Sequence, residues 1–257
     1  MKKFLLFVSF LFLTISNFCF ASLSDKDSLQ GKMSFGLNFT PGFSYRQLSV
    51  DTTVKYMQSY EYAREFLETS KMTFQLGLDF RYAISRFFSI RIGINYADSG
   101  YKIDSWTWYD ANCIVNTGFV AINYHIRYLG IPCVIQFNSK YKKVQFYSAI
   151  GLSGDYLLQN SIAAKVDYDD YLNWENEKII IDRSEEPICW YPPIWELRKS
   201  RFNLSGIFEL GIKINLSNQI SFSLAPKLNY SFYSIYNKPI IENIYGMGLN
   251  LGFIYSL

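Results

Sequence analysis

The residue types in this chain that could carry chemistry are few and scattered. His125 is the single histidine, and an imidazole works as a general base only beside a nucleophile it can reach. A histidine acting on lipid would have to face lipid or the polar layer beside it. His125 shares its parity with Asn123 and Arg127, which places it inward among polar groups as a satisfied interior histidine. The stretch KVDYDDYLNWENEKIIIDRSEE carries Asp167, Asp169, Asp170, Glu175, Glu177, Asp182, Glu185 and Glu186. Hard cations take several oxygen ligands in defined order, and this spacing fits no calcium loop. It reads as solvated surface charge. There is no glycine-rich phosphate cradle and no triad spacing, so the expectation is a chain without catalytic residues, cofactor or metal.

Aromatic clusters offer binding chemistry instead. CWYPPIWELRK places Trp190, Tyr191 and Trp195 around two prolines, and SWTWYD adds Trp106 and Trp108. Exposed aromatics of this kind mark contact surfaces for proteins or sugars; folding back onto their own loops is the alternative. Three cysteines follow the leader, Cys113, Cys133 and Cys189, at spacings that match no zinc or redox pattern. Cys113 and Cys189 fall in loop-like segments at one end, where a disulfide can join them; three unconnected thiols are the other reading.

The elements that position these residues begin with a leader. MKKFLLFVSFLFLTISNFCFAS has a basic start, an apolar run from Phe4 to Ile15 and small residues before Ser22. It reads as a secretory signal over residues 1–21, cleaved after Ala21, followed by a short periplasmic segment, 22–32, and one barrel domain, 33–257. Loss of Lys2 and Lys3 leaves 23 basic against 22 acidic side chains. That balance gives no footprint for nucleic acid.

The rest of the chain alternates. From Met72 to Tyr82 every even residue is apolar or aromatic, and the pattern resumes at Phe88, Ile90, Ile92, Ile94 and Tyr96. The same period of two marks strands starting near Met33, Val144, Phe202, Ile220 and Tyr245, with a further strand near 120–137, eight in all. Short connections at Ser85-Arg86, NSKYKK and Ser217-Asn218 alternate with long ones at about 47–71, 98–119, 159–200 and 235–243. Pro41 and Pro226 lie inside strands and call for bulges or local breaks. In AINYHIRYLGIPCVIQF the apolar parity slips, as an extra residue near Tyr128–Gly130 would cause.

A one-sided strand fits a lipocalin-like barrel with its oily face inward, or a membrane barrel with that face outward. The oily face here is too uniform and too aromatic to fit inside eight strands. The opposite face is Gly, Ser, Thr and Asn with Asp79, Arg81, Arg91, Arg127, Glu209, Lys213 and Lys227, charges able to pair in a narrow interior. Tyr45, Tyr82, Tyr96, Tyr156, Tyr230 and Tyr255 fall near strand ends, as an interfacial girdle requires. The expectation is an all-β, eight-stranded antiparallel up-and-down transmembrane β-barrel with short periplasmic turns and long extracellular loops, integral to the outer membrane.

RYLGIPCVIQF, VQFYSAIGLSGDYLL with Gly151, LNYSFYSIYN and the closing MGLNLGFIYSL resemble the PorT-like outer-membrane β-barrel family common in Bacteroidetes. The resemblance implies the same barrel, and for some members a part in type IX protein secretion. Three functional expectations stand together: a non-enzymatic barrel binding through its loops, an accessory of a secretion or envelope-assembly machine, or a lipid-modifying enzyme. The expected partners are outer-membrane lipid and envelope or secretion proteins.

Overall fold

The computed structural model describes residues 33–50, 68–103, 107–108, 118–139, 143–168, 178–182, 201–234 and 240–257. The leader and the 22–32 segment lie outside these residues. The strands are β1 (Met33–Val50), β2 (Glu68–Ala83), β3 (Phe88–Ser99), β4 (Tyr101–Ile103), β5 (Thr107–Trp108), β6 (Gly118–Asn138), β7 (Val144–Tyr168), β8 (Lys178–Asp182), β9 (Phe202–Asn215), β10 (Ile220–Ser231) and β11 (Ile240–Ser256). Eight of them close a ring in the order β1–β2–β3–β6–β7–β9–β10–β11, every pair antiparallel, and β11 returns to β1. β4 continues β3 beyond Gly100, while β5 and β8 pair with the upper parts of β6 and β7. Closure satisfies each strand edge inside the sheet, which hydrocarbon demands.

The short turns gather at one end and are stitched by serines. Ser85 Oγ accepts from the backbone N–H groups of Phe87 and Phe88, each at 3.2 Å. Ser217 Oγ does the same for Gln219 and Ile220, at 3.3 and 3.0 Å. Local side-chain bonds of this kind fix a tight reversal without a glycine.

At the other end the strands run further than their alternation suggests. β1 reaches Val50, β6 begins at Gly118 and spans 21 residues, and β7 spans 25. Segments read as loops from their charge and polarity are therefore partly strand. Once above the apolar zone, a strand no longer needs an oily face to stay paired.

Alternation decides the faces. Leu78 is 66% exposed, Ile131 61% and Phe146 67%, whereas Asp79, Arg91, Glu209 and Asn250 are buried. The apolar rows therefore form the outer wall and the polar rows fill the inside. Tyr82 and Tyr255 rim the band at the short-turn end, and Tyr230 and Tyr245 rim it at the other.

The proline sites break the ladder without shifting it. Pairing between β1 and β11 lapses after Phe39↔Leu251 and resumes at Gly42↔Gly248 in the same register. Between β9 and β10 it lapses after Leu224↔Ile212 and resumes at Lys227↔Glu209. Pro41 and Pro226 thus omit a donor and need no bulge.

The extra residue expected in β6 is in β7 instead. Arg127 faces Gln159 and Tyr128 faces Leu157, so Leu158 is the inserted residue, and β6 keeps one register against β3 from Phe88↔Phe137 to Ser99↔Ile126. From Tyr124 to Gln136 the even residues of β6 therefore point inward. A second offset separates Phe74↔Asp98 from Ser70↔Tyr101, placing an extra residue in β2 near Lys71. Opposite it, Gly100 has φ of 138°, and a Cβ there would strike the Tyr124 carbonyl.

Candidate functional site

The lumen is built from the inward rows and is filled in layers. Nearest the short turns, Arg91 on β3 donates from Nη2 to Glu209 Oε1 on β9 at 2.7 Å, across the interior. Arg81 Nε donates to Asp79, whose carboxylate also accepts from Asn38. Val134, Tyr147, Ala149, Ile207 and Ala225 pack as a small apolar cluster.

In the middle lies a cavity of about 60 Å³, room for a few waters, to which all eight ring strands contribute. Asp155 projects here, accepting from Ser153 at 2.5 Å and from Ser205. Lys227 Nζ reaches across to Gln75 Oε1 at 2.9 Å.

Above the cavity the interior turns apolar. Tyr101, Ile103, Tyr124, Ile126, Tyr128, Leu157 and Ile244 form one buried cluster that spans the lumen from β6 to β11. The rings of Tyr101 and Tyr124 stack at 4.2 Å. Arg46 lies over Tyr101, 4.2 Å from its centroid, and donates to Glu68 on β2 and Glu242 on β11. An eight-stranded barrel has little space, and here aromatic rings and ion pairs occupy it.

This plug overturns the orientation expected for β6. Tyr124, Ile126 and Tyr128 carry the apolar parity, yet they face the lumen, so Asn123, His125 and Arg127 face outward in line with Leu129 and Ile131. His125 is therefore not an interior histidine, and Arg127 is not an interior charge. Period two separates the faces of a strand but does not say which is inside once that strand leaves the lipid.

On the outer wall these residues converge on one carboxylate. Asp98, the outward residue after Tyr96 on β3, accepts from Lys71 Nζ at 2.8 Å and lies 3.0 Å from His125 Nδ1. Lys71 Nζ is also 2.7 Å from that same Nδ1 and 3.3 Å from the Ser99 carbonyl. Arg127 Nε stands 3.9 Å from Asp98 without a hydrogen-bond partner, and its Nη1 donates to Gln159 at 2.5 Å. The bulge at Lys71 turns that side chain toward its neighbours. In sequence, Lys71 and His125 stand 54 residues apart, and only a signal for the extra residue near Lys71 and for the β3–β6 register could have joined them.

The other sequence-read residues are less informative. Trp108 lies on β5, facing Gly118 of β6 in the ladder. Trp106, Trp190, Tyr191, Trp195, Cys113 and Cys189 lie outside the described residues, as does most of the acidic stretch. Cys133 is a free thiol on the outer face of β6, between Ile131 and Ile135.

A closed ring with an apolar outer band and a packed polar interior defines an integral outer-membrane β-barrel protein of a Gram-negative bacterium. The model of the family described as outer membrane protein beta-barrel domain matches residues 20–237, and the chain belongs to that family. Among curated proteins none matches the chain. Several solved structures are similar. Neisserial surface protein A is 12% identical, with 87% of this chain and 97% of that one covered at a TM-score of 0.42. OprG from Pseudomonas aeruginosa is 10% identical, with 88% and 96% covered at 0.42. The outer membrane protease OmpT from Escherichia coli is 8% identical, with 92% and 99% covered at 0.44.

Proposed function

We propose that this protein is a non-conducting, non-enzymatic barrel whose work is surface binding by the segments that join its long strands. The observation carrying this reading is the filled lumen: the plug around Tyr124 and Tyr128 is packed across the interior above the central cavity, and the Arg91–Glu209 pair spans it below. Strands extended past the apolar band, with β5 and β8 added to them, make a stiff collar for presenting loops.

His125 on the outer wall restores the geometry that a lipid-acting enzyme would use. Its Nδ1 is engaged by Asp98 and Lys71, and among the described residues no hydroxyl or thiol bonds the ring. That arrangement belongs to a charge cluster rather than to an activated nucleophile. The binding residues would be Trp106, Trp108, Trp190, Tyr191 and Trp195, and Cys113–Cys189 would be a bond tying two loops.

Photo-crosslinking in living cells from these five aromatic positions tests the reading. A discrete adduct lost on replacing Trp190 and Trp195 by Ser supports it. Absence of any adduct from all five, with the barrel folded, overturns it. An adduct to secretion-machine proteins would assign the PorT-like secretion role; an envelope or matrix component would assign adhesion.

A further inference from the structure

The outward cluster at Lys71, Asp98, His125 and Arg127 has no part in the lumen or the loops, and its place on the wall is informative. Directly below it run the apolar rows Leu76–Leu78 on β2, Ile94–Tyr96 on β3 and Leu129–Ile131 on β6. β3 and β6 lose their apolar outer face together, at the level of Asp98↔Arg127, while β2 keeps Phe74 at that level and Met72 one step above it. An outer-membrane barrel has an apolar band of about 25 Å, so the cluster sits where acyl chains give way to headgroups on the loop side.

Its charge is not closed internally. Two fixed cations, Lys71 and Arg127, and an imidazole share one carboxylate. Lys71 is buried in the cluster by its contact with Asp98, which leaves Arg127, about one-third exposed, and His125, about one-quarter exposed, to meet an incoming group. Arg127 is held by Gln159 on the neighbouring strand, and its Nε lacks an acceptor. On the β10–β11–β1 side, the outer wall above the band carries uncharged Tyr230, Asn243 and Gln47, which bond to one another. Among the described residues, the β10–β11–β1 side of the wall thus carries no counterpart of this cluster.

We propose that this sector binds the phosphate of an anionic lipid headgroup in the outer leaflet. Arg127 and His125 would donate to the phosphate oxygens, Lys71 and Asp98 would hold them in position, and Leu129, Ile131, Ile94 and Tyr96 would line the acyl chains below. A guanidinium meets a phosphate with charge-assisted bonds that a neutral side chain cannot make, and basic pockets at this depth on a membrane protein recognise lipid headgroups. A desolvated cation on the outer wall without such a partner would be a standing cost to the barrel.

The test uses the full chain folded in phosphatidylcholine vesicles containing equal amounts of phosphatidic acid and diacylglycerol with the same acyl chains. The two probes differ only in the phosphate. Native mass spectrometry of the extracted protein then reads the retained lipid. The expected result is a preference for phosphatidic acid of about tenfold, reduced to near equality in Arg127→Gln and His125→Gln, each checked for a folded barrel by its heat-dependent gel shift. A double variant, Arg127→Gln with Asn243→Arg, keeps the net charge but moves the cation to β11, four strands round the ring from β6, and it also loses the preference. Equal retention by the native chain overturns the proposal. So does a preference that survives in the charge-relocated variant, which would be bulk attraction. Loss of the preference on adding millimolar inorganic phosphate would assign the cluster to a free anion and overturn the lipid reading.

Discussion

Arg46 Nη1 donates to Glu242 Oε2 at 2.7 Å, tying the first ring strand to the last on the inner side of the seam where the barrel closes. The same guanidinium is gripped by both oxygens of Glu68 on β2. All three side chains are almost wholly buried. Removing one partner from a buried pair leaves a charge that neither water nor protein compensates, at a cost of about 3–5 kcal/mol.

Arg46→Ala strands two carboxylates beneath the upper rim, whereas Glu242→Ala leaves the two-pronged bond to Glu68. The first variant should therefore be the more destabilised, by several kcal/mol on the scale of a broken buried pair. Urea titration of the folded, fast-migrating gel species in lipid vesicles measures both. If neither differs from Gln47→Ala on the outer wall, the network is not holding the seam.

The Arg91–Glu209 pair crosses the lumen and makes a different point. Glu209→Leu alone should cost about 3–5 kcal/mol, because Arg91 is left in the interior without its counter-charge. Arg91→Met combined with Glu209→Leu should recover most of that loss, since a well-packed apolar pair often matches a buried ion pair. Both variants should remain electrically silent in planar bilayers, because the aromatic plug above is intact. Channel openings in the native chain would refute the filled-lumen reading.

Cys133 permits a direct check of the wall. It lies on the outer face between Ile131 and Ile135, within the apolar band. With Cys113 and Cys189 replaced by Ser, a membrane-soluble maleimide should label it and a charged one should not. In a background lacking all three thiols, His125→Cys should react with the charged reagent applied from outside the cell. Protection at 125 equal to that at 133 would return His125 to the lumen or place it deeper in the lipid.

Much of the fold was legible because lipid imposes a simple rule on a strand. Between Met72 and Tyr82 each second side chain must be apolar, and Ser85 and Ser217 mark turns that nothing else in the sequence explains. The rule lapses above the band. Tyr124, Ile126 and Tyr128 are as apolar as Leu76 and Leu78, but they plug the inside because the outside there is polar. Leu157 and Leu158 hide their bulge for the same reason: both are apolar, one faces the lumen and one the outer wall, and no interruption in pattern records the change. The Lys71–Asp98–His125 cluster was beyond reach of alternation, since it depends on the extra residue near Lys71 and on the β3–β6 register. Pairing inside the barrel was foreseen for Asp79 with Arg81 and for Arg91 with Glu209 only as a set of charges on one face.

The lipid rule itself carries a magnitude. Leu78 is on the outer face of β2 amid Leu76, Phe80 and Ile94. Leu78→Arg should destabilise the barrel by about 2–4 kcal/mol, the range for a cation near the bilayer midplane. Gln47→Arg, at the upper wall, should cost little by the same measure. Equal effects at the two sites would mean that the apolar band is not the membrane-facing surface.

His125 finally separates binding from catalysis. If the Asp98–His125 pair activates a nucleophile on a lipid, His125→Ala must change the products, and the lipids of cells carrying that variant should match those of cells lacking the protein. If the cluster only binds, mass spectra of outer-membrane lipids should show the same acyl chains and headgroups in cells with native protein, with His125→Ala and with none. The second outcome is expected, because the ring nitrogen that faces Asp98 also lies 2.7 Å from Lys71 Nζ, and among the described residues no hydroxyl or thiol bonds the ring. A lipid species that appears with the native chain and vanishes with His125→Ala would make the protein an enzyme.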